Sequence, residues 1–168
     1  MRRYMMILAA GLALLPAMAS AADLSGVWVR DGARSDVVPS SMYWLTRGVD
    51  AGGTRGPEGQ PVVIEVTHSA TTLQVADPAR PLRVYALDGQ PHTVLADTRV
   101  TNAMVTATTQ GETVVVSATQ PYAGLPGNVT LNVQETWQVS ADGKSLTVVT
   151  VRDTPAKRLT YTEVYNRR

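Results

Sequence analysis

Leu24-Ser25-Gly26-Val27-Trp28-Val29-Arg30 is the stretch whose reading decides the fold. Its valines alternate around a Gly-x-Trp, which reads as the first strand of a meander. The chain beyond Pro61 repeats that grammar. Val62, Ile64 and Val66 alternate with Val63, Glu65 and Thr67, and Leu73 and Val75 resume the pattern after a turn at His68-Ser69-Ala70. Pro81 to Leu87 sets Leu82, Val84 and Ala86 opposite Arg83, Tyr85 and Leu87, and Asp88-Gly89 closes it as a hairpin signal. Arg99–Thr108 and Glu112–Thr119 pair through Thr109-Gln110-Gly111. Val129–Ser140 turns at Asp142-Gly143 into Ser145–Arg152, and Lys157–Asn166 ends the series. A weaker strand is expected at Thr93–Ala96.

Short, evenly spaced strands with tight turns and no sustained helical period predict an all-β protein. The expected form is an antiparallel up-and-down β-barrel of about 8–10 strands, because closure removes sheet edges. A two-sheet β-sandwich is the alternative, since strand number alone does not separate the two.

Upstream, Met1–Ala21 reads as a signal peptide. Arg2 and Arg3 precede an apolar run from Met5 to Leu15, and Ala19-Ser20-Ala21 is a small-x-small cleavage pattern. That run is well short of the ~20 residues a membrane-spanning helix needs. The mature chain is expected to start at Ala22, as a single domain of 147 residues (22–168). The leader removes two of the 15 basic residues and none of the 14 acidic ones, leaving a net charge of −1. That balance argues against nucleic acid as a partner. There is no cysteine, so the fold relies on packing and ladders rather than disulfides. A periplasmic or secreted bacterial protein is expected, with no membrane span after cleavage.

One segment breaks the rhythm. Asp31 to Pro61 is a long loop without a strand pattern, carrying Met42-Tyr43-Trp44-Leu45 and then five glycines. It reads as a plug of the barrel floor ahead of a lid over its mouth.

Gly26-x-Trp28, the meander, and Arg167 and Arg168 at the end of the last strand together resemble the calycin superfamily. Within it the chain is most similar to small secreted lipocalin-like proteins of bacteria, which pair a Ser-Gly-x-Trp start with a Glu-Thr-Trp strand and an Asp-Gly-Lys turn. Glu135-Thr136-Trp137 and Asp142-Gly143-Lys144 match. The resemblance implies that Trp28 packs across the closed end of the barrel with Arg167 or Arg158 stacked on it. The Thr-Asp-Tyr type loop of lipocalins is missing. The tryptophan-rich strands of the biotin-binding branch are missing as well, so no biotin pocket is expected.

Glu135 is the most informative polar residue. Alternation places it with Val129, Leu131, Val133, Trp137 and Val139 on a face that must point inward, where a lone carboxylate is costly. An ion pair with Arg152 or Arg99 is the favoured reading and a ligand anchor the second. On the last strand Leu159, Tyr161, Glu163 and Tyr165 share one face and Arg158, Thr160, Thr162 and Val164 the other, with the inward face open. His68 and His92 read as solvated turn residues, and no nucleophile elbow, phosphate loop, dinucleotide fingerprint or metal-ligand spacing occurs. Neither catalysis, cofactor nor metal is expected. Small inward residues such as Ala103 and Ala118 leave room for a cavity. The leading expectation is a carrier of a small hydrophobic or amphipathic ligand. Trp28 would form its floor, Trp137 and Tyr161 its wall, Glu135 a polar anchor, and Tyr43 and Trp44 its lid. The alternative is an envelope protein-protein interaction module with a side-chain-filled barrel.

Overall fold

The computed structural model describes residues 22–36, 61–77, 80–94, 103–122, 129–153 and 158–168. They form β1 (Gly26–Arg30), β2 (Val63–His68), β3 (Thr72–Asp77), β4 (Arg80–Ala86) and β5 (His92–Val94). The second half holds β6 (Ala103–Gln110), β7 (Thr113–Tyr122), β8 (Val129–Val139), β9 (Ser145–Asp153) and β10 (Arg158–Arg167). All ten strands belong to one antiparallel sheet in the order β4-β3-β2-β1-β10-β9-β8-β7-β6-β5, nearly closed into a barrel. No described helix is long and apolar enough to cross a membrane. The leader Met1–Ala21 lies outside the described residues, as does the second part of the long loop with Tyr43 and Trp44.

Every pair of consecutive strands is hydrogen-bonded except β4 and β5, and one further ladder joins the first strand to the last. β1 pairs with β10, placing Trp28 opposite Arg167 and Arg30 opposite Tyr165. β4 and β5, although joined by the short connection 87–91, form no ladder and are the two edges of the sheet. An isolated bridge between Asp88 and Thr108 stitches one end of this seam, with Gly89 N–H donating to the Ala107 carbonyl at 3.0 Å.

The weaker strand starts at His92, one residue before the expected Thr93, because its ladder begins with His92 opposite Val105; residues 95 and 96 lie outside the described residues. β7 runs on to Tyr122, beyond Thr119, because Gln120, Pro121 and Tyr122 keep register with Leu131, Thr130 and Val129. The start of the long loop is also more ordered than a break in pattern suggests. Asp31 N–H donates to the Val164 carbonyl and Asp36 N–H to the Thr162 carbonyl, both at 2.8 Å, so the chain after β1 keeps bonding to β10.

The two barrel ends differ. Connections 69–71, 87–91, 111–112 and 140–144 leave the end that holds Gly26, and all are short. The hairpins at Gly111 (φ 61°) and Gly143 (φ 72°) use a left-handed backbone that glycine adopts without strain. In the second, Ser140 and Asp142 side chains collect the spare turn donors: Lys144 N–H reaches Asp142 Oδ1 at 3.1 Å and Ser145 N–H reaches Ser140 Oγ at 3.0 Å. This end is filled by Leu24, Trp28, Leu73, Leu146 and Tyr165, all fully buried. Removing such side chains from water contributes roughly 1.5–3 kcal/mol apiece. The Trp28 indole N–H donates to the Leu24 carbonyl at 3.0 Å, so its one polar atom is satisfied.

Candidate functional site

Away from the Trp28 end, the inward rows change character. Along β8 the buried side chains run Val139, Trp137, Glu135, Val133, Leu131; along β9, Leu146, Val148, Thr150, Arg152; along β10, Tyr165, Glu163, Tyr161. Register brings the polar members together, with Glu135 opposite Thr150, Thr150 opposite Tyr161, and Val148 opposite Glu163. Register and burial also settle the face of β10 that sequence alone leaves open: Tyr161, Glu163 and Tyr165 point inward, while Arg158 and Thr160 are exposed.

Glu163 meets Arg30 from β1, whose Nε donates to Oε1 at 3.1 Å with both side chains largely out of water. The remaining Arg30 fork donates from Nη2 to the Asp36 carbonyl at 2.8 Å. A pair this dry persists because each desolvated charge has an oriented partner.

Glu135 is arranged otherwise. It is 4 % exposed, and its Oε2 accepts the Trp137 indole N–H at 3.1 Å. Trp137 sits two residues along the same strand on the same face, so strand geometry alone delivers the donor. Among the described residues the Glu135 carboxylate has no ion pair. The expected cation Arg152 is buried one row away, opposite Val133, and holds contacts of its own, whereas Arg99 lies outside the described residues. The expected ion pair with Arg152 is not among the salt bridges of the described residues, and the donor seen there is the neutral indole of Trp137.

Across the barrel, β4 turns Arg83 and Tyr85 inward and leaves Leu82 and Val84 exposed, an inversion of the usual apolar-in arrangement. Arg83 Nη1 donates to the Tyr85 hydroxyl at 3.4 Å. Burial pushes the Tyr85 phenol up; Arg83 works against that and the negative charge of Glu135 adds to it. Glu135 and Tyr85 thus face a common interior. At the seam beside Tyr85 there is a small cleft of about 10 Å³, room for roughly one water, lined by Val84, Ala86, His92, Val94, Val105 and Ala107 as well.

Compared with known proteins, the chain matches no family model and no curated sequence.

The six residues singled out from the sequence divide between the barrel floor, its inner wall and the loop outside the described residues. Trp28 is in the floor of the short-turn end, with the Arg167 guanidinium 4.3 Å from its ring centroid. Arg158, the other stacking candidate, is exposed and pairs with Asp153 at 3.6 Å. Glu135, Trp137 and Tyr161 are on the shared inner surface, and Tyr43 and Trp44 lie outside the described residues. Among the polar groups that face the interior, Arg30, Thr150, Arg83 and Tyr85 were not singled out. Strand alternation from Trp28 was enough to find Arg30. His68 is not a solvated turn residue, since it is half-buried and its Nδ1 accepts the Leu24 N–H at 3.4 Å. His92 is exposed and sits 2.9 Å from Asp88. Among the described residues no three His, Asp or Glu side chains converge as a metal site would require.

Proposed function

We propose that the chain is an exported lipocalin-like barrel, periplasmic or secreted, that binds a small hydrophobic or amphipathic ligand in its interior. The observation that carries this reading is Glu135, a carboxylate buried in an inward row of valines and tryptophan and bonded to an indole rather than a cation. A barrel that only needed filling would be at least as stable with an aliphatic side chain there. A carboxylate kept in that position is explained by something it must contact. Trp28 forms the floor, Trp137 and Tyr161 the wall, and Glu135 the polar anchor; a few placed polar groups among apolar walls are the usual make-up of small-molecule sites. The stacking of Arg167 on Trp28 beside Gly26 supports the lipocalin-like part of the reading.

The test is native mass spectrometry on the protein exported by its own host, before and after organic extraction. A mass above that of residues 22–168 that disappears on extraction is expected. A mass equal to the bare chain in both samples counts against the carrier.

A second reading, an envelope protein-protein interaction module, is favoured by Leu82, Val84 and Met104, which are 58 %, 46 % and 45 % exposed. Leu82 and Val84 lie on the edge strand β4 and Met104 on β6, so apolar groups flank an edge with unpaired backbone. Under this reading, Leu82→Ser with Val84→Ser abolishes co-purification of a partner and leaves any extractable small molecule unchanged.

A further inference from the structure

We infer that the seam between β4 and β5 is the ligand's way into the barrel, and that what passes it is an unbranched alkyl chain. The inference rests on the carrier reading and adds the route and the shape of the ligand.

Three features meet at this seam. The first is the backbone. β4 and β5 are the edges of the sheet, so the hydrogen-bonded wall is interrupted between them. The interruption is fastened at one end only. The Asp88–Thr108 bridge and the bond from Gly89 N–H to the Ala107 carbonyl lie at the end that holds Gly26. Among the described residues no ladder continues from there towards Leu82 and Val94, so parting the strands at that end breaks no backbone bond between them. Pro81, inside β4, has no N–H to offer a new neighbour, a substitution that sheets tolerate at their edges.

The second feature is outside. Among the described residues the exposed large apolar side chains are Leu82, Val84 and Met104. Leu82 and Val84 stand on β4 itself, and Met104 is on β6 opposite Thr93 of β5. All three therefore flank the seam. Apolar groups gathered at one opening give an alkyl chain a place to leave water before it is inside.

The third feature is the cleft beneath. Short aliphatic side chains dominate its lining, among them Ala86, Val94 and Ala107, and its imidazole, His92, is engaged by Asp88 at 2.9 Å. Val84 belongs both to the cleft and to the exposed patch, so the two are continuous. Tyr85, buried, borders the cleft and feels the charge of Glu135, which sets it between the seam and the interior. With room for roughly one water, the cleft passes single methylenes end-on after small side-chain shifts, whereas a rigid ring system requires the close-packed wall to part.

The chain has no cysteine, so Val84→Cys with Thr93→Cys supplies one thiol on each edge strand, both at exposed positions. A short bis-maleimide ties the seam shut, and N-ethylmaleimide alters the same thiols without tying them. The probe is bromoundecanol with its bromine at the tail end, which quenches tryptophan on contact, mixed by stopped flow with the full exported protein. The tie is expected to slow uptake and release at least about tenfold relative to the monofunctional adduct, as closing a gate does. Equal uptake in the tied and untied protein overturns the seam as entrance and leaves the carrier reading intact. Absence of quenching in the unaltered protein overturns both. Should the cysteine variant fail to fold, the unaltered protein decides: bromoundecanol is expected to enter at least about tenfold faster than the rigid cage alcohol bromoadamantanol. Equal rates for the two alcohols overturn the unbranched-chain inference.

Discussion

The guanidinium of Arg167 lies 4.3 Å from the centroid of the Trp28 ring, and its Nη1 and Nε donate to the carbonyls of Ser25 and Gly143 at 2.8 and 2.7 Å. One side chain thus ties the first strand, the last strand and the β8–β9 hairpin across the short-turn end. Gly26 is what admits it: its φ is 150°, and a Cβ there would stand 2.8 Å from Arg167 Nη1.

Arg167→Ala is expected to lower stability by about 1–2 kcal/mol, the sum of a ring contact at the solvent edge and two hydrogen bonds. Arg167→Lys recovers only part of this, because an ammonium cannot imitate the two-pronged fork. Gly26→Ala costs about 1–3 kcal/mol through its backbone conformation, plus whatever displacing Arg167 adds. That second part vanishes when Arg167 is already Ala, so the two changes are less than additive. Urea unfolding of the unaltered protein, the two alanine variants and their double measures this, and strict additivity would show that the glycine and the arginine act independently.

Trp137→Phe removes the donor to Glu135 and leaves a buried carboxylate oxygen unmatched, at a cost of about 1–3 kcal/mol beyond the lost ring area. Glu135→Gln keeps an acceptor for the indole and sheds a desolvated charge, so it is expected to be neutral or mildly stabilising. Thermal unfolding of both variants checks the order; a Gln variant weaker than the Phe variant contradicts it.

Breaking the Arg30–Glu163 pair from one side strands a buried charge. Glu163→Ala is expected to cost about 3–5 kcal/mol, whereas Arg30→Met with Glu163→Leu restores most of that loss. Equal destabilisation in the single and the double variant would show that the pair itself, and not an uncompensated charge, dominates.

Asp31 contributes to the acid limb of the stability profile, as do Asp23, Asp88 and Asp142, whose carboxyls local hydrogen bonds also hold below the usual range. Hydrogen bonds from the Arg34 and Asn166 side chains hold the Asp31 carboxyl at about 2, against an ordinary value of 3.8. A folded value below the unfolded one means the contribution is complete above about pH 4 and disappears as the pH falls towards 2. Asp31→Asn is therefore expected to flatten the stability profile across that window and leave its slope near neutrality unchanged. Urea midpoints taken at half-unit steps in pH provide the measurement.

The barrel was legible from the chain because its signals are local. Alternation at Val62–Thr67 and Ser145–Arg152 and the turn pair Asp142-Gly143 each fix their own element, and the buried rows of β2 and β9 follow. Less legible was everything that depends on pairing distant strands. That Arg30 meets Glu163, or that Arg152 stands opposite Val133 and not Glu135, is set by register between strands, which composition does not encode. The inward turn of Arg83 and Tyr85 was hidden for a related reason. Both faces of β4 carry plausible core residues, and only its pairing with Leu73 and Val75 decides between them. Glu135 differs from these, because its donor Trp137 lies two residues along the same strand and needs no register to be found. Opposite charge drew the expectation to Arg152, although an indole on the same face was the nearer source of a hydrogen bond.

The ladder between β1 and β10, set beside the missing ladder between β4 and β5, makes this chain a rotated version of a simpler one. Taken from β5 through β10 and on through β1 to β4, every hydrogen-bonded neighbour in the sheet would also be a neighbour in sequence. In the natural order the most remote strands must find each other, the slowest kind of contact to form. Cutting the 87–91 connection and joining Arg168 to Asp23 through a short linker removes that long search without deleting a single ladder. Such a permuted protein is expected to refold faster than the natural order at similar stability, and stopped-flow refolding of the two would measure how much time the placement of the ends costs.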